Sequence, residues 1–291
     1  MQQAQVAREI SYASSAATIG GRALIRAVEN ATGRMRLIRR ARGYEDEIAR
    51  GRDFWTVMGE RYGVTLDITG GSLSNIPATG PLILIANHPY GILDGLMMGQ
   101  ILSQRRADFR ILAHRVFGKS SDLSRVILPI SFDGTKEATR TNIETRKAAL
   151  NYLTGGGAIG IFPGGTVSTS SRPFGRPMDP GWRSFTAKLV AKSGARVVPV
   201  YFEGQNSRLF QIASHVHLTL RLALLINEFR ARVDAPVRLA IGRPIDPGQL
   251  AAHGRDPKQM MDFLRKATYE LASKPLPSLA YGFEFEQRYK A

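Results

Sequence analysis

Hydrophobic residues in the central part of the chain alternate between short unbroken runs and helical spacings. The runs Leu82–Ala86, 158–162 and Arg196–Phe202 are typical of strands that are buried on both faces of a sheet. After the first run, helical spacing predicts a helix that contains Ile92, Leu93, Leu96, Met97 and Ile101. Strands that alternate with helices in this way predict an α/β fold, with a mostly parallel central sheet flanked by helices.

The same two patterns predict the remaining elements. Strands are expected over 64–68, 110–113, 126–132 and 237–241, and helices over 53–62, 142–153, 185–192 and 258–273. Segment 214–229 alternates like a strand in its first half, but its length and its apolar run 222–226 favour a helix. The tail from Lys274 contains Pro275, Pro277 and several aromatic residues, which predicts irregular packing.

Residues 5–50 have helical spacing and are rich in arginine. The segment from Asn30 to Gly33 is expected to break this region into two helices. Its apolar residues suit either of two roles, resting among lipid headgroups or covering the core of the protein, and both interpretations stay open. We therefore divide the chain into an N-terminal amphipathic helical region, 1–62, as a candidate membrane-surface contact, and an α/β domain, 63–291.

The charged residues indicate a class of partner. The chain has 40 Lys and Arg residues against 24 Asp and Glu, which gives a net charge of +16. This excess indicates a polyanionic partner: nucleic acid, an anionic membrane surface or a phosphorylated substrate. The chain contains no recognisable helix-turn-helix, zinc or aromatic nucleic-acid motif, which disfavours the first. The absence of cysteine excludes disulfides, thiolate metal sites and a cysteine nucleophile.

The pattern of apolar segments bears on localisation. Residues 1–30 do not show the charged and apolar segments of a cleaved signal peptide. No window reaches the roughly 18 uninterrupted apolar residues that a membrane-spanning helix needs. If this protein meets a membrane, we therefore expect it to lie on the surface, and we place that contact at the cytoplasmic face.

Candidate chemistry begins where the run Leu82–Ala86 ends, in the string Asn87-His88-Pro89-Tyr90-Gly91-Ile92-Leu93-Asp94. This string predicts a tight turn into a helix, with one histidine and one aspartate at the junction. An α/β protein can present a general base and its orienting carboxylate at such a place.

A second polar loop follows the predicted strand 158–162, with the sequence Pro163-Gly164-Gly165-Thr166-Val167-Ser168. Its glycines free backbone N–H groups to face an anion, although the chain has no Gly-x-x-x-x-Gly-Lys-Ser/Thr string of a nucleotide-binding loop. Loops at the carboxyl ends of parallel strands meet in one crevice, so we expect the two loops to lie together.

These strings resemble the motifs of the glycerolipid acyltransferases, the family that includes lysophosphatidic acid acyltransferases. Family members carry Asn-His-x4-Asp, then Phe-Pro-Glu-Gly-Thr-Arg-Ser, then a Val-Pro-Val strand. The counterparts here are 87–94, 162–168 and 198–200, and the family's second motif is similar to 127–133, which ends at Asp133. All four lie in family order within about residues 80–245. The variants His-Pro-x-Gly-x-x-Asp and Phe-Pro-Gly-Gly look more like a divergent bacterial branch labelled hemolysin-like.

The resemblance has departures that bear on the acceptor. Five residues separate His88 from Asp94 instead of four, so we interpret Gly91 as an inserted residue in the turn. Gly164 stands in place of the family's glutamate, and Val167 and Gly134 stand in place of its arginines. In the family these arginines hold the acceptor's phosphate. Nearby cations that could replace them are Lys136, Arg140, Arg146, Arg172 and Arg176.

The resemblance implies transfer of a fatty acyl chain from an acyl-coenzyme A or acyl carrier protein thioester to the hydroxyl of a lysolipid at the membrane surface. His88 is then the general base and Asp94 its orienting carboxylate, and no metal or redox cofactor is required. The residues expected to contact substrate are Asn87, Tyr90, Gly91, Asp133, Gly164, Gly165, Thr166 and Ser168. Backbone N–H groups near Gly91 or in 164–166 are candidate oxyanion donors.

The sequence leaves two alternatives open. The missing arginines favour an acceptor without phosphate, such as a lyso-ornithine lipid. The altered motifs are also compatible with a catalytically inactive protein that binds lipid surfaces, against which the presence of both His88 and Asp94 argues.

Overall fold

The computed structural model describes residues 11–13, 16, 18–114, 121–131 and 135–285. Asp133 and Gly134 of the second-motif string, together with residues 1–10, lie outside the described residues. Within them the chain forms a seven-stranded sheet, a two-stranded hairpin and helices on both faces of the sheet.

The strands of the main sheet are β1 (Thr65–Gly71), β2 (Leu82–Ala86), β3 (Phe109–His114), β4 (Ile127–Ile130), β5 (Ala158–Ile161), β8 (Arg196–Phe202) and β9 (Pro236–Ile241). Their spatial order is β1-β9-β8-β2-β5-β3-β4. Neighbours run parallel except for β8 and β9, which are antiparallel. The short strands β6 (Thr169–Ser170) and β7 (Pro177–Met178) form the hairpin. The expectation of a mostly parallel α/β sheet is therefore confirmed.

The helices are α1 (Ile19–Thr32), α2 (Arg34–Ala41), α3 (Tyr44–Ala49), α4 (Phe54–Tyr62), α5 (Ile92–Ser103), α6 (Ser121–Ser124), α7 (Lys136–Thr154), α8 (Ser184–Ser193), α9 (Arg208–Val216), α10 (Leu218–Arg230), α11 (Pro247–His253) and α12 (Pro257–Tyr269). None of those described is long and apolar enough to cross a bilayer. The ambiguous segment 214–229 belongs to two helices that break at His217, whose Nδ1 accepts the Thr219 N–H at 3.0 Å and caps α10.

Strand β2 lies in the middle of the sheet, and all five of its residues are buried. Leu82, Leu84 and Ala86 pack into the core on one face, and Ile83 and Ile85 pack into the core on the other. Because both faces are covered by helices, the strand has no polar side, which is why it forms an unbroken apolar run. Its carboxyl end is fixed at the centre of the fold.

The N-terminal helices cover the protein's own core. Leu37 and Tyr44 belong to the same buried cluster as β2, and Ile25 of α1 packs on Ala223 of α10. The structure thus favours the core-covering interpretation for these apolar residues. Gly33 ends α1 with a φ of 129°, so the predicted break after Asn30 is also present. The division of the chain at residue 62 stays a prediction.

Candidate active site

The two polar loops lie side by side at the carboxyl ends of neighbouring strands. Strand β2 pairs with β5 in parallel, so the turn 87–91 and the loop 162–168 leave the sheet at the same edge. The Ser168 N–H donates to the backbone oxygen of His88 at 2.8 Å. The imidazole of His88 stacks on the ring of Phe162, with centroids 4.2 Å apart. The two loops, which the sequence predicted to lie together, therefore meet around His88.

His88 and Asp94 meet at the start of α5. Nδ1 of His88 lies 3.0 Å from Oδ2 of Asp94, which is the third residue of the helix and is fully buried. The same carboxylate oxygen accepts the backbone N–H groups of Tyr90 at 2.7 Å and Gly91 at 2.9 Å. Burial raises the pKa of Asp94 above its ordinary value, and these contacts with His88 and the two N–H groups oppose that shift. The His88 side chain remains 18% exposed.

Gly91 accommodates the five-residue spacing. Its φ of 87° and ψ of −112° lie outside the regions that other residues adopt without strain. A Cβ at this position would also lie 3.2 Å from Cγ2 of Val167. The extra residue is absorbed in this turn, so that Asp94 still reaches the imidazole.

An imidazole whose Nδ1 faces a buried carboxylate is held in one tautomer and one orientation. Its Nε2 is then the nitrogen available to accept a proton from a substrate. The partial exposure of His88 gives a ligand access to the ring. The arrangement can therefore perform general-base catalysis.

Asn87 and Tyr90, both predicted to contact substrate, have partners within the protein. Asn87 exchanges two hydrogen bonds with the backbone of Phe202, at 2.9 and 2.7 Å, and so ties the end of β2 to the end of β8. The Tyr90 hydroxyl donates to the backbone oxygen of Glu203 at 2.6 Å, and burial raises the pKa of Tyr90 to about 12. Both side chains position the turn around His88.

The side chain of Ser168 also has a partner within the protein, Asp179, which the sequence patterns did not indicate as a site residue. The Ser168 side chain is only 2% exposed, and its hydroxyl donates to Oδ1 of Asp179 at 2.5 Å. The same Oδ1 accepts the backbone N–H of His88 at 3.2 Å, and Oδ2 accepts the indole N–H of Trp182 at 2.9 Å. Asp179 is fully buried, and its own N–H donates to the hydroxyl oxygen of Tyr269.

The position of Asp179 explains one departure from the family pattern. A Cβ at Gly164 would lie 3.3 Å from Cβ of Asp179 and 3.4 Å from its Oδ2. A glutamate side chain at position 164 would therefore meet the carboxylate that Asp179 brings from another segment. The sequence gives only a weak indication that Asp179 belongs to the site, namely that Asp179 and Glu203 are the only acidic residues in 163–227.

Arg221 of α10 is the second residue that the sequence patterns missed. Its guanidinium donates to the hydroxyls of Thr169, Ser214 and Thr166 at 2.6, 2.9 and 3.1 Å, and to the backbone oxygen of Val167 at 2.7 Å. The side chain is buried, and burial lowers its pKa. Arg221 thus brings a cation to the loop in which Val167 replaces the family's arginine.

Two of the cations that could replace the family's phosphate-binding arginines contact other residues. Arg140 forms an exposed ion pair with Glu144 on its own helix, at 2.9 Å. Arg146 lies over the ring of Phe185, 5.2 Å from its centroid. Neither observation connects these side chains to the crevice.

The hydrogen bonds of the two loops narrow the set of oxyanion donors. The Gly91 N–H is taken by Asp94, the Gly165 N–H by the backbone oxygen of Phe162 at 3.0 Å, and the Ser168 N–H by His88. In the part of the chain that the structure describes, the N–H groups of Gly164 and Thr166 have no acceptor. The N–H groups of Gly164 and Thr166 are therefore the remaining candidate oxyanion donors.

Comparison with known protein sequences gives three findings. The sequence model of a family described as "Acyltransferase" matches residues 29–276. A lyso-glycine lipid O-acyltransferase of Phocaeicola vulgatus is 26% identical over 229 residues, which cover 76% of this chain and 78% of the relative. The enzyme of the same name from Bacteroides thetaiotaomicron is 25% identical over 230 residues, which cover 76% of this chain and 80% of the relative.

Among solved structures, the 1-acyl-sn-glycerophosphate (LPA) acyltransferase PlsC of Thermotoga maritima is similar to this chain with a TM-score of 0.44 and 17% identity. The match covers 77% of this chain and 85% of that structure.

Proposed function

The chain belongs to the acyltransferase family, and from this membership we propose that it transfers a fatty acyl group from a thioester to the hydroxyl of a lysolipid at a membrane surface. The observation that carries the proposal is the 3.0 Å separation of His88 and Asp94 beside the loop 162–168. The names of the two curated relatives support a lysolipid as the acceptor.

One proton moves twice in this reaction, first from the acceptor to His88 and then from His88 to the leaving thiolate. As the hydroxyl oxygen of the acceptor attacks the thioester carbonyl, Nε2 of His88 accepts the hydroxyl proton. The tetrahedral intermediate then expels the thiolate, which takes the same proton from the imidazolium and leaves as a thiol. Asp94 holds the imidazole and stabilises its positive charge without itself changing protonation state. Such base catalysis supplies ~10²–10⁴-fold.

The negative charge on the carbonyl oxygen needs donors that are already in place. We assign this role to the backbone N–H groups of Gly164 and Thr166, which have no acceptor in the described protein. Arg221 holds the Thr166 side chain and the backbone of Val167, and so fixes the geometry of this loop. Preorganised donors of this kind stabilise a transition state without reorganising during the reaction.

The acceptor we propose is the lyso form of a lipid whose headgroup contains an amino acid rather than phosphate. Val167 stands where the family carries an arginine for phosphate, and the guanidinium of Arg221, which reaches the same loop, is buried and already donates to four protein oxygens. Relatives named for a lyso-glycine lipid, together with the earlier alternative of a lyso-ornithine lipid, point to the same chemical class. For the donor we propose acyl-coenzyme A or acyl carrier protein, both of which suit a net charge of +16.

The test is an acyl-transfer assay with labelled long-chain acyl-coenzyme A and acyl carrier protein as donors. The acceptors are lyso-glycine lipid, lyso-ornithine lipid and lysophosphatidic acid. We expect product with the amino-acid lipids and a fall of at least ~10²-fold in His88→Ala. His253→Ala is the matched control, since His253 stacks on Phe263, away from the crevice. Equal turnover by parent and His88→Ala overturns the assignment, and no product with any pair of substrates favours an inactive lipid-binding protein.

A further inference from the structure

Helix α9 exposes three of its apolar residues to solvent, although Phe210 and Ala213 of the same helix are buried. The side chains of Leu209, Ile212 and Val216 are 60%, 38% and 67% exposed. Their spacing of three and four residues places them on one side of the helix. A surface helix of a soluble protein normally turns such a stripe toward the core.

Three polar residues of α9 contact the protein from the side opposite the exposed stripe, whereas Arg208 at the start of the helix is exposed. Gln211 is fully buried, and its side-chain oxygen accepts the Ser170 N–H at 3.0 Å. Ser214 is also buried and accepts a hydrogen bond from Arg221. Nε2 of His215 lies 3.0 Å from the backbone oxygen of Ser170. Polar contacts and the buried Phe210 therefore hold the helix in the orientation that exposes Leu209, Ile212 and Val216.

The apolar surface extends beyond the helix. The backbone oxygen of Gly175 accepts a hydrogen bond from Arg208 at the start of α9, which places the neighbouring Phe174, 78% exposed, close to that end. Leu218, 55% exposed, begins α10 directly after α9. Ile19, 84% exposed, begins α1, which packs along α10. We call this set the α9 face: Ile19, Phe174, Leu209, Ile212, Val216 and Leu218.

The α9 face collects six of the ten large hydrophobic residues that are exposed in the described part of the chain. Single exposed hydrophobic residues are ordinary, but contiguous apolar patches mark surfaces that are covered by a partner. The charges around the patch indicate which partner. Segments 18–28, 170–178 and 204–222 contain no Asp or Glu, and they carry the exposed cations Arg22, Arg172, Arg176 and Arg208.

We propose that the α9 face docks the protein on a bilayer that contains anionic lipids. Apolar side chains that project from one side of a helix can enter the acyl boundary, while the surrounding cations bind headgroup phosphates. An acidic carrier protein would also match the cations, but it gives no reason for six exposed apolar side chains. The inference rests on the proposed function, which takes its acceptor from the membrane.

The docking face is joined to the crevice through one short segment. Ser170 contacts both Gln211 and His215 of α9. Two residues earlier, Ser168 donates to the backbone oxygen of His88. A bilayer bound at the α9 face therefore lies one helix diameter, ~10 Å, from the segment that leads to His88, which gives a lysolipid a short path to the imidazole.

Apart from Ile19 and Arg22 of α1, this location lies outside the basic N-terminal helices, which the sequence suggested as the membrane contact. Arg40 of that group forms two hydrogen bonds with the carboxylate of Asp234, at 2.7 and 2.6 Å, so part of its charge is neutralised. Leu37 and Ile38 of the same helix are buried in the core. The two locations make different predictions for binding to vesicles.

The experiment is co-sedimentation of the full chain with vesicles of phosphatidylcholine, with and without phosphatidylglycerol. The test variant is the triple substitution Leu209→Ser, Ile212→Ser and Val216→Ser. Its matched control is Ile143→Ser, because Ile143 is 59% exposed on α7, outside the α9 face. The rival variant carries Arg36→Ala, Arg39→Ala and Arg40→Ala. Circular dichroism and thermal melting establish that each variant is folded.

We expect the parent to bind the anionic vesicles, and the triple serine variant to lose at least about tenfold in binding while Ile143→Ser does not. Undiminished binding of the triple serine variant overturns the proposal. So does a loss confined to the arginine variant, which would move the docking surface to α2. Loss of binding to immobilised acyl carrier protein, with vesicle binding intact, would assign the face to a carrier protein instead.

A second measurement separates this inference from the proposed function. Turnover is compared for an acceptor embedded in vesicles and the same acceptor dispersed in detergent. We expect the ratio of the two to fall at least about fivefold in the triple serine variant, because only the first reaction needs docking. If the parent sediments but gives no product in either form, the docking surface stands and the proposed reaction fails. If the ratio stays at the parent value, docking has no part in catalysis.

Discussion

The carboxylate of Asp179 accepts the backbone N–H of His88 at 3.2 Å, across 91 positions of sequence. The same oxygen accepts the hydroxyl of Ser168, whose own N–H donates to the backbone oxygen of His88. Both backbone polar groups of His88 are therefore held by the segment that contains the second loop. The orientation of the imidazole depends on this link as well as on Asp94.

We predict that Asp179→Asn lowers both stability and turnover. The two carboxylate oxygens together accept three donors, from His88, Ser168 and Trp182. An amide has only one oxygen, so in either orientation its NH2 group faces at least one of these donors. The cost of such a buried conflict is ~1–3 kcal/mol of unfolding free energy, measured by urea unfolding. We expect kcat to fall more than KM changes, since Asp179 positions His88 and does not contact substrate.

The indole of Trp182 provides the control for Asp179. Trp182→Phe removes the N–H that Oδ2 accepts and keeps an aromatic ring in place. In the double variant the amide of Asn can turn its NH2 group toward the phenyl ring without opposing a donor. We therefore expect the two substitutions together to destabilise less than the sum of their separate effects. Simple additivity would show that the hydrogen bonds of Asp179 do not act as one unit.

We predict that Gly91→Ala impairs catalysis through the backbone. The positive φ of 87° strains any residue with a Cβ, and that Cβ would lie 3.2 Å from Val167. The expected loss is ~1–3 kcal/mol of unfolding free energy, together with a fall in kcat as the turn between His88 and Asp94 shifts. Gly156→Ala is the matched control, because Gly156 has a φ of 92° and lies away from the crevice, where a Cβ would meet open space within 4 Å among the described residues. It should lose stability and keep parent turnover.

We predict that the geometry of Arg221, not only its charge, supports the loop 166–169. Arg221→Lys keeps the cation but cannot reproduce a planar fork with four acceptors. Arg221→Met removes the charge and fills most of the space. We expect both variants to lose at least about tenfold in kcat, the scale of a misplaced oxyanion donor. Parent-like turnover of Arg221→Lys would show that charge alone suffices.

The proximity of His88 and Asp94 could be predicted from sequence because it depends on local geometry. A buried strand, a turn and a helix fix both residues, and the carboxylate at the third helical position reaches back to the turn. The apolar runs likewise revealed the strands, since a central parallel strand has no polar face.

Asp179 and Arg221 could not be predicted in the same way. They lie outside the motif strings, and only the tertiary fold brings them to the two loops. The polar residues Asn87 and Ser168 illustrate the converse difficulty. Sequence shows that a crevice-lining loop is polar, but it does not show that the backbone of Phe202 or the carboxylate of Asp179 already occupies those side chains.

We predict that Asp94→Asn lowers turnover and changes the pH dependence of stability. Asn keeps an oxygen that can accept the N–H groups of Tyr90 and Gly91, but it cannot stabilise an imidazolium. We expect turnover to fall by ~10²–10⁴-fold. The stability of the variant relative to the parent should instead increase with pH, because burial raises the pKa of Asp94 above its ordinary value of 3.8.

The pH dependence of stability is set by the protons that the native and unfolded states bind. Between the ordinary pKa and the raised one, the native state holds the Asp94 proton more tightly than the unfolded state does, so the free energy of unfolding falls as pH rises. The Asn variant lacks this contribution. The difference in unfolding free energy, variant minus parent, should therefore increase with pH above about 3.8, as measured by urea unfolding at a series of pH values. A flat or falling difference would contradict the prediction.

Asp234→Asn tests the same reasoning with the opposite sign. The hydrogen bonds from Arg40 lower the pKa of Asp234, so its ionised form stabilises the native state at pH values above the ordinary pKa of 3.8. That contribution is lost as pH falls through the lowered pKa, and the Asn variant lacks it at every pH. The difference, variant minus parent, should therefore decrease as pH rises. Opposite slopes for the two variants would assign the pH dependence to each carboxylate's own surroundings, burial for Asp94 and a cation for Asp234.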